Sequence, residues 1–168
     1  MKYFSLIIFI VLSDQLSKIL VKDYWLNNNL IIGFDSINIL GDFLRLVFIE
    51  NPGIAFGMNP GKPVLLTIIT FAIILFLCFY LKSLINNRSI ESLPIAFVLG
   101  GAIGNAIDRL LTLIPSLGYN GVIDFIDLGF GNCSYCRWYV FNIADLSISI
   151  GLVIIIYQSL FINHTIEN

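Results

Sequence analysis

Asp14, Lys18, Asn105, Asp108, Arg109, Asn142 and Asp145 all interrupt strongly apolar stretches, and Asp124 lies just outside one. An Asp, Lys or Arg at the centre of a membrane helix costs about 2.5–3.5 kcal/mol on insertion scales, so each calls for a use. Nucleophilic triads need a base beside Ser or Cys, and the single histidine, His164, sits in the tail. Zinc proteolysis needs His-rich ligation such as HExxH, which is absent. Cys133 and Cys136 form a lone CxxC in a loop; a metal or redox site would need further Cys or His, and Cys78 lies in an apolar run while His164 is in the tail. A Ser–Lys dyad of Ser13 or Ser17 with Lys18 stays conceivable, although Asp14 stands one turn from Lys18 as a ready partner. What remains in quantity is carboxylate. Two carboxylates about 3 Å apart cannot both ionise, so they share one proton. The ionised acid then activates water and the protonated one polarises a carbonyl, which hydrolyses an amide without metal, cofactor or covalent intermediate.

Such groups need elements to hold them. Hydrophobic residues make up 58% of the 168 and charged residues 12%, against about 45–50% and about 25% in soluble domains. With a mean hydropathy of +0.91, the composition points to one integral membrane domain spanning 1–168. Crossing the hydrocarbon takes about 20 helical residues, and four stretches qualify: about 3–21, 64–81, 94–113 and 141–162. Val64 to Leu81 carries no charge, with Pro63 before it and Lys82 after it. The N-terminal stretch reads as an uncleaved helix rather than a secretory signal, because Ser13-Asp14-Gln15-Leu16-Ser17-Lys18 follows in place of a small-residue cleavage site. Nine basic against eleven acidic residues leave no cationic surplus for nucleic acid.

The predicted fold is therefore an all-α membrane protein, a four-helix transmembrane bundle. A small extracytoplasmic β-rich region is expected between helices 1 and 2, where Asn38 to Ile49 is rich in β-branched and aromatic residues and Asn51-Pro52-Gly53 supplies a turn. Lys2, Lys82 and Arg88 beside the short connections place both termini in the cytoplasm; Lys18, Lys22, Arg45, Lys62 and Arg137 fall on the other side.

In an antiparallel bundle Asp14 and Lys18, then Asn105, Asp108 and Arg109, then Asn142 and Asp145 all map to one membrane face, the face of the two long loops. Spacings of three or four put Asp14 with Lys18, Asn105 with Asp108, and Asn142 with Asp145 on shared helix faces. Gly100 and Gly104 bracket a small-residue stripe that admits a second backbone closely. Asp124 lies in Gly121-Val122-Ile123-Asp124-Phe125-Ile126-Asp127, a loop or short strand. It either folds back over the bundle mouth to meet Asp145 or stays solvated, and Asp145 itself either does chemistry or serves only as a helix N-terminal acid.

Five collinear blocks resemble the bacterial lipoprotein signal peptidases (type II signal peptidases): Asp14 to Lys18, Glu50-Asn51-Pro52-Gly53-Ile54-Ala55-Phe56, Gly100 to Arg109, Val122 to Phe125, and Phe141-Asn142-Ile143-Ala144-Asp145. The resemblance implies an aspartyl endopeptidase of the bacterial cytoplasmic (inner) membrane, acting as a monomer toward the extracytoplasmic face. It makes Asp124 and Asp145 the catalytic dyad and implies that Asn51, Asn105, Asp108, Arg109 and Asn142 position dyad, loops and substrate. Asp14 and Lys18 would support the bundle. The implied substrate is a prolipoprotein cut just before a diacylglyceryl-modified cysteine, reached from the surrounding membrane lipids. Leu110 to Gly121 forms a longer link than the family pattern has, and Tyr139 stands where a proline is common. A proton- or ion-coupled transporter subunit is the competing class, but it needs polar residues through the whole membrane depth, and the second helix has none. A helix-packing protein would leave Asp108, Asp124 and Asp145 unexplained.

Overall fold

A computed structural model describes residues 2–53, 63–130 and 136–161. Ile54 to Phe56, Lys62, Gly131, the loop residues Asn132 and Cys133, Ile162 and His164 lie outside the described residues. The order is α1 (Lys2–Asn27), β1 (Ser36–Leu40), β2 (Leu44–Asn51), α2 (Pro63–Asn86), α3 (Ser92–Leu111), β3 (Val122–Leu128) and α4 (Ile143–Phe161). Each of the four helices is long and apolar enough to cross a membrane.

The helices differ in what their surfaces meet. In α3, 56% of the most apolar stretch is buried inside the protein, against 17–22% in the others. This makes α3 the axis of the bundle, in contact with α1, α2 and α4. Leu77, Leu81 and Leu84 of α2 pack on Ile95, Ala96 and Leu99 of α3. Phe9, Phe76, Phe79 and Val153 point outward, a surface suited to lipid tails.

Glycine lets α3 occupy the axis. A Cβ on Gly101 would run into the Ala144 carbonyl and the Ile148 side chain of α4. Across the same interface, one on Gly151 would sit 2.7 Å from the Pro94 carbonyl oxygen. Gly104 makes room for the Asp14 carboxylate, and Gly100 faces the Ile10 side chain. The stripe expected at Gly100 and Gly104 thus receives α1, while the backbone approach to α4 falls on Gly101, one residue round the helix.

The sheet is antiparallel in the order β1-β2-β3. Sequence placed it between helices 1 and 2, but only β1 and β2 come from there; the third strand is contributed by the connection from α3 to α4. The reason is edge protection: β2 has the open hydrogen-bonding edge that β3 fills. Val21 and Trp25 of α1, Phe48 of β2, and Ile123 and Phe125 of β3 form a buried cluster that seats the sheet on the end of the bundle. Beyond β3, Arg137 grips the Asp127 carboxylate at 2.7–2.8 Å, and Phe141 bridges Ile126, which returns the chain beside the strand before α4 begins.

Gly101→Ala is expected to cost about 1–3 kcal/mol of stability through overpacking against backbone. Gly100→Ala should cost less, because the Ile10 side chain can shift. Thermal unfolding of the two variants in detergent checks the order.

Candidate active site

The start of α4 organises the site. Asn142 occupies the N-cap position: its Oδ1 accepts the Asp145 N–H at 2.9 Å, while Asp145 Oδ2 accepts the Asn142 N–H at 3.3 Å. This reciprocal capping box satisfies amides that a helix start leaves open. Asp14 of α1 caps the same helix from outside, accepting the Ala144 N–H at 2.9 Å. Because capping fixes the Asn142 oxygen, its amide nitrogen must face the other way. It donates to Asp124 Oδ1 at 2.7 Å, to Asn105 Oδ1 at 3.1 Å and to the Ile123 carbonyl at 3.2 Å.

Asp124 arrives on β3. Strand alternation sends Ile123 and Phe125 into the apolar cluster and Asp124 to the opposite side. In the β2–β3 register Asn51 lies opposite Val122, which makes it the diagonal neighbour of Asp124. Asn51 Nδ2 donates to Asp124 Oδ2 at 3.1 Å. Asp124 is only 4% exposed, so the solvated alternative is excluded. Burial, and then the Asp145 charge, push its carboxyl up to about 7, while Asn51, Lys18 and Asn142 pull the other way.

Behind the two acids lies a buried ionic cluster. The Lys18 ammonium contacts Asp14 at 2.7 Å and Asp108 at 2.8 Å, all three groups lying within the protein. It also donates to Asn105 Oδ1 at 3.1 Å. That contact orients the Asn105 amide, whose nitrogen donates to Asp145 Oδ1 at 2.7 Å. Asp108 in addition accepts the Ile123 N–H at 3.0 Å and so fixes β3 to α3. With Asp14 as its short-range partner, Lys18 is engaged structurally, against the Ser–Lys reading; Ser17 is turned to the Asp14 carbonyl.

Most of the site residues expected from the sequence are brought together here. Asp14, Lys18, Asn51, Asn105, Asp108, Asn142, Asp124 and Asp145 form one hydrogen-bonded network, and Gly104 abuts it. Gly100 instead packs on Ile10. Arg109 stands apart from the network's hydrogen bonds, in Coulombic reach of Asp145, Asp108 and Asp124. It lines a pocket of about 220 Å³ with Asn51, Leu66, Thr112, Tyr119 and Val122. Sequence reasoning passed over Gln15 as a site residue. Its amide reaches Asp14, Asp108 and the Gly104 carbonyl, and its signal was a second polar side chain beside Asp14 in an apolar helix. Cys136 is disulfide-bonded. Among the described residues no cluster of His, Cys, Asp and Glu could hold a metal ion.

Fold and site together define a class: a four-span membrane protein with two carboxylates, drawn from a strand and a helix start, bound to one asparagine at the bundle's end. Comparison with known proteins narrows it. Residues 6–161 match the family model described as signal peptidase (SPase) II. The lipoprotein signal peptidase of Moorella thermoacetica is 32% identical over 95% of this chain and 93% of its own. That of Borreliella burgdorferi is 34% identical over 99% and 96%. Two solved structures described as a bacterial membrane enzyme, at 2.3 Å and 1.9 Å, superpose with TM-scores of 0.73 and 0.72. Both are 31% identical, cover 95% of this chain, and are themselves covered over 87% and 93%. The chain belongs to the signal peptidase II family, and it is a protease.

Lys18→Met should destabilise the protein by about 3–5 kcal/mol, because two buried carboxylates lose their cation. Gln15→Leu, which removes hydrogen bonds to the same carboxylates but leaves them their cation, should cost less. Unfolding midpoints in detergent distinguish the two.

Proposed function

We propose that this protein removes signal peptides from prolipoproteins by water attack on the amide immediately before a diacylglyceryl-modified cysteine. Asp124 and Asp145 act as an aspartic acid–base pair. The observation that carries the reading is the shared Asn142 amide, which binds one carboxylate through its nitrogen and caps the other's helix through its oxygen. Two acids gathered on one rigid group, one of them with its carboxyl raised to about 7 by burial and the other's charge, have the electrostatics of a pair that keeps one proton at neutral pH.

In this mechanism Asp124, the more buried acid, holds the proton and donates it to the scissile carbonyl oxygen. Asp145, oriented by the Asn105 and Asn142 N–H groups, takes a proton from water, which attacks the carbonyl carbon. Collapse of the tetrahedral intermediate passes the Asp145 proton to the leaving amine, while one hydroxyl of the gem-diol gives its proton back to Asp124 as the carbonyl re-forms. The pair ends ready for another cycle. Arg109 offers positive charge beside the pair for backbone carbonyls of the substrate.

The site's depth suits this substrate. It lies where α1 and α3 end and α4 begins, at the end of the spans. With both termini in the cytoplasm, as Lys2, Lys82 and Arg88 favour, this end faces outward from the bacterial cytoplasmic membrane. A lipid-anchored precursor then reaches the acids sideways from the outer leaflet. The chain carries the chemistry as a monomer, with no cofactor.

Asp124→Asn and Asp145→Asn should each lower cleavage of a diacylglyceryl-modified precursor peptide by about 10²–10⁴-fold. Wild-type turnover in either variant would sink the dyad. The Asp124 carboxyl is raised, so it is protonated below about 7 and ionised above; kcat/KM should therefore fall as pH rises past about 7. The linked stability has the same sign. Folding takes up a proton between the ordinary value of 3.8 and about 7, so the contribution of Asp124 declines across that window and is constant above it. A pH series of activity and of unfolding midpoints reads both.

A further inference from the structure

The link from Thr112 to Gly121, which follows α3, contributes to the pocket that Arg109 and Asn51 line. From α1, the Lys22 ammonium sits 3.4 Å from the centre of the Tyr119 ring and donates to the Gly118 carbonyl at 3.2 Å. From β2, Glu50 accepts the Asn120 amide at 2.7 Å. At its far end, Gly121 lies so close to the Asn51 backbone that no Cβ would fit. The link is thus tied to two elements that also carry the site, since Asn51 holds Asp124. Its inner side contributes Thr112, Tyr119 and Asn120 to the pocket, facing Arg109 and Leu66. Burial first, and then the charges of Asp108, Asp23 and Glu50, push the Tyr119 phenol above its ordinary value, so it stays a neutral hydrogen-bond donor.

The pocket's size and lining decide which part of a substrate it takes. About 220 Å³ bounded by a guanidinium, two amides, a threonine and a phenol, with Pro52, Leu66 and Val122 between them, suits a short peptide segment with a small side chain. Two acyl chains would be too long for it and would strip water from Arg109 without return.

We infer that the 112–121 link is a specificity wall: Tyr119 contacts the substrate side chain preceding the scissile bond, and Lys22 is the positioning residue that clamps Tyr119 and Gly118 against α1. This rests on the peptidase reading above. The cation over the ring face, together with the hydrogen bond to Gly118, holds the wall in its seated position. Loosening it widens the pocket toward larger side chains.

The test is a panel of diacylglyceryl-modified peptides that differ only in the residue before the cysteine, Gly, Ala, Val or Leu. Each is assayed in detergent with full-length protein. Tyr119→Ala is expected to shrink the discrimination between Gly and Leu by about tenfold, within the range a methylene-scale change in a pocket gives, with the larger part in KM. Tyr119→Phe keeps the ring and should retain most of the discrimination. Lys22→Met should move the panel the way Tyr119→Ala does, and Lys22→Arg, which restores cation and donor, should bring it back. A structural role alone would scale all four peptides equally, and that result overturns the inference. If Tyr119→Ala does not fold, the Lys22→Met and Lys22→Arg pair decides. Asp124→Asn is assayed alongside. If it is inert while selectivity is unmoved in the wall variants, only the wall inference fails; if it turns over normally, the peptidase mechanism fails first.

Discussion

One ammonium in a nonpolar interior sets the rest of the structure. Lys18 lies among α1, α3 and the start of α4 with Asp14 and Asp108 as direct partners. Stripped of water, a charge in such surroundings is stable only when paired and hydrogen-bonded. The partners it requires are the ones that assemble the site. Asp14 caps α4, Asp108 holds the β3 backbone at Ile123, and Asn105 is turned so that its nitrogen faces Asp145. The cluster functions as a joint where three helices and a strand are fixed to one another.

The joint also imposes direction on neutral groups. Asparagine has a donor and an acceptor on one rigid plane, so fixing either fixes both. Lys18 claims the oxygen of Asn105, and the helix cap claims the oxygen of Asn142. Both nitrogens are left to face carboxylates, Asp145 and Asp124 respectively. Two acids that would repel each other as anions are thereby offered fixed N–H donors, and burial makes retention of a proton on Asp124 the favourable state near neutrality. The hydrogen bonds that stabilise the helix start are the same ones that orient the acids of the proposed pair. Asp145 is a helix N-terminal acid by its hydrogen bonds and, in the proposed mechanism, a member of the pair as well.

Glycine makes such closeness possible. Without Gly101 and Gly104, α3 would stand off from α4 and from Asp14, and the reach of Lys18 and Asn105 would fall short. Dispersion contacts between tightly spaced helices, together with the polar cluster, drive association where lipid gives no hydrophobic incentive.

Sequence alone determined the four apolar segments, the shared membrane face of the polar residues and their helix-face pairings. These depend on quantities local in the chain: the hydrocarbon thickness, the cost of a buried charge, and a repeat of 3.6 residues per turn. Blocks shared with a known family also singled out Asp124 and Asp145, the two acids of the proposed pair. The tertiary structure decided that β3 completes a sheet begun before α2, that Asn142 joins Asp124 to the start of α4, that Gln15 belongs to the ionic cluster, and that Lys22 stacks on Tyr119. Each of these unites residues far apart in the chain through backbone pairing or side-chain reach. Spacing along a sequence has no term for such meetings, because they exist only once the intervening segments have folded.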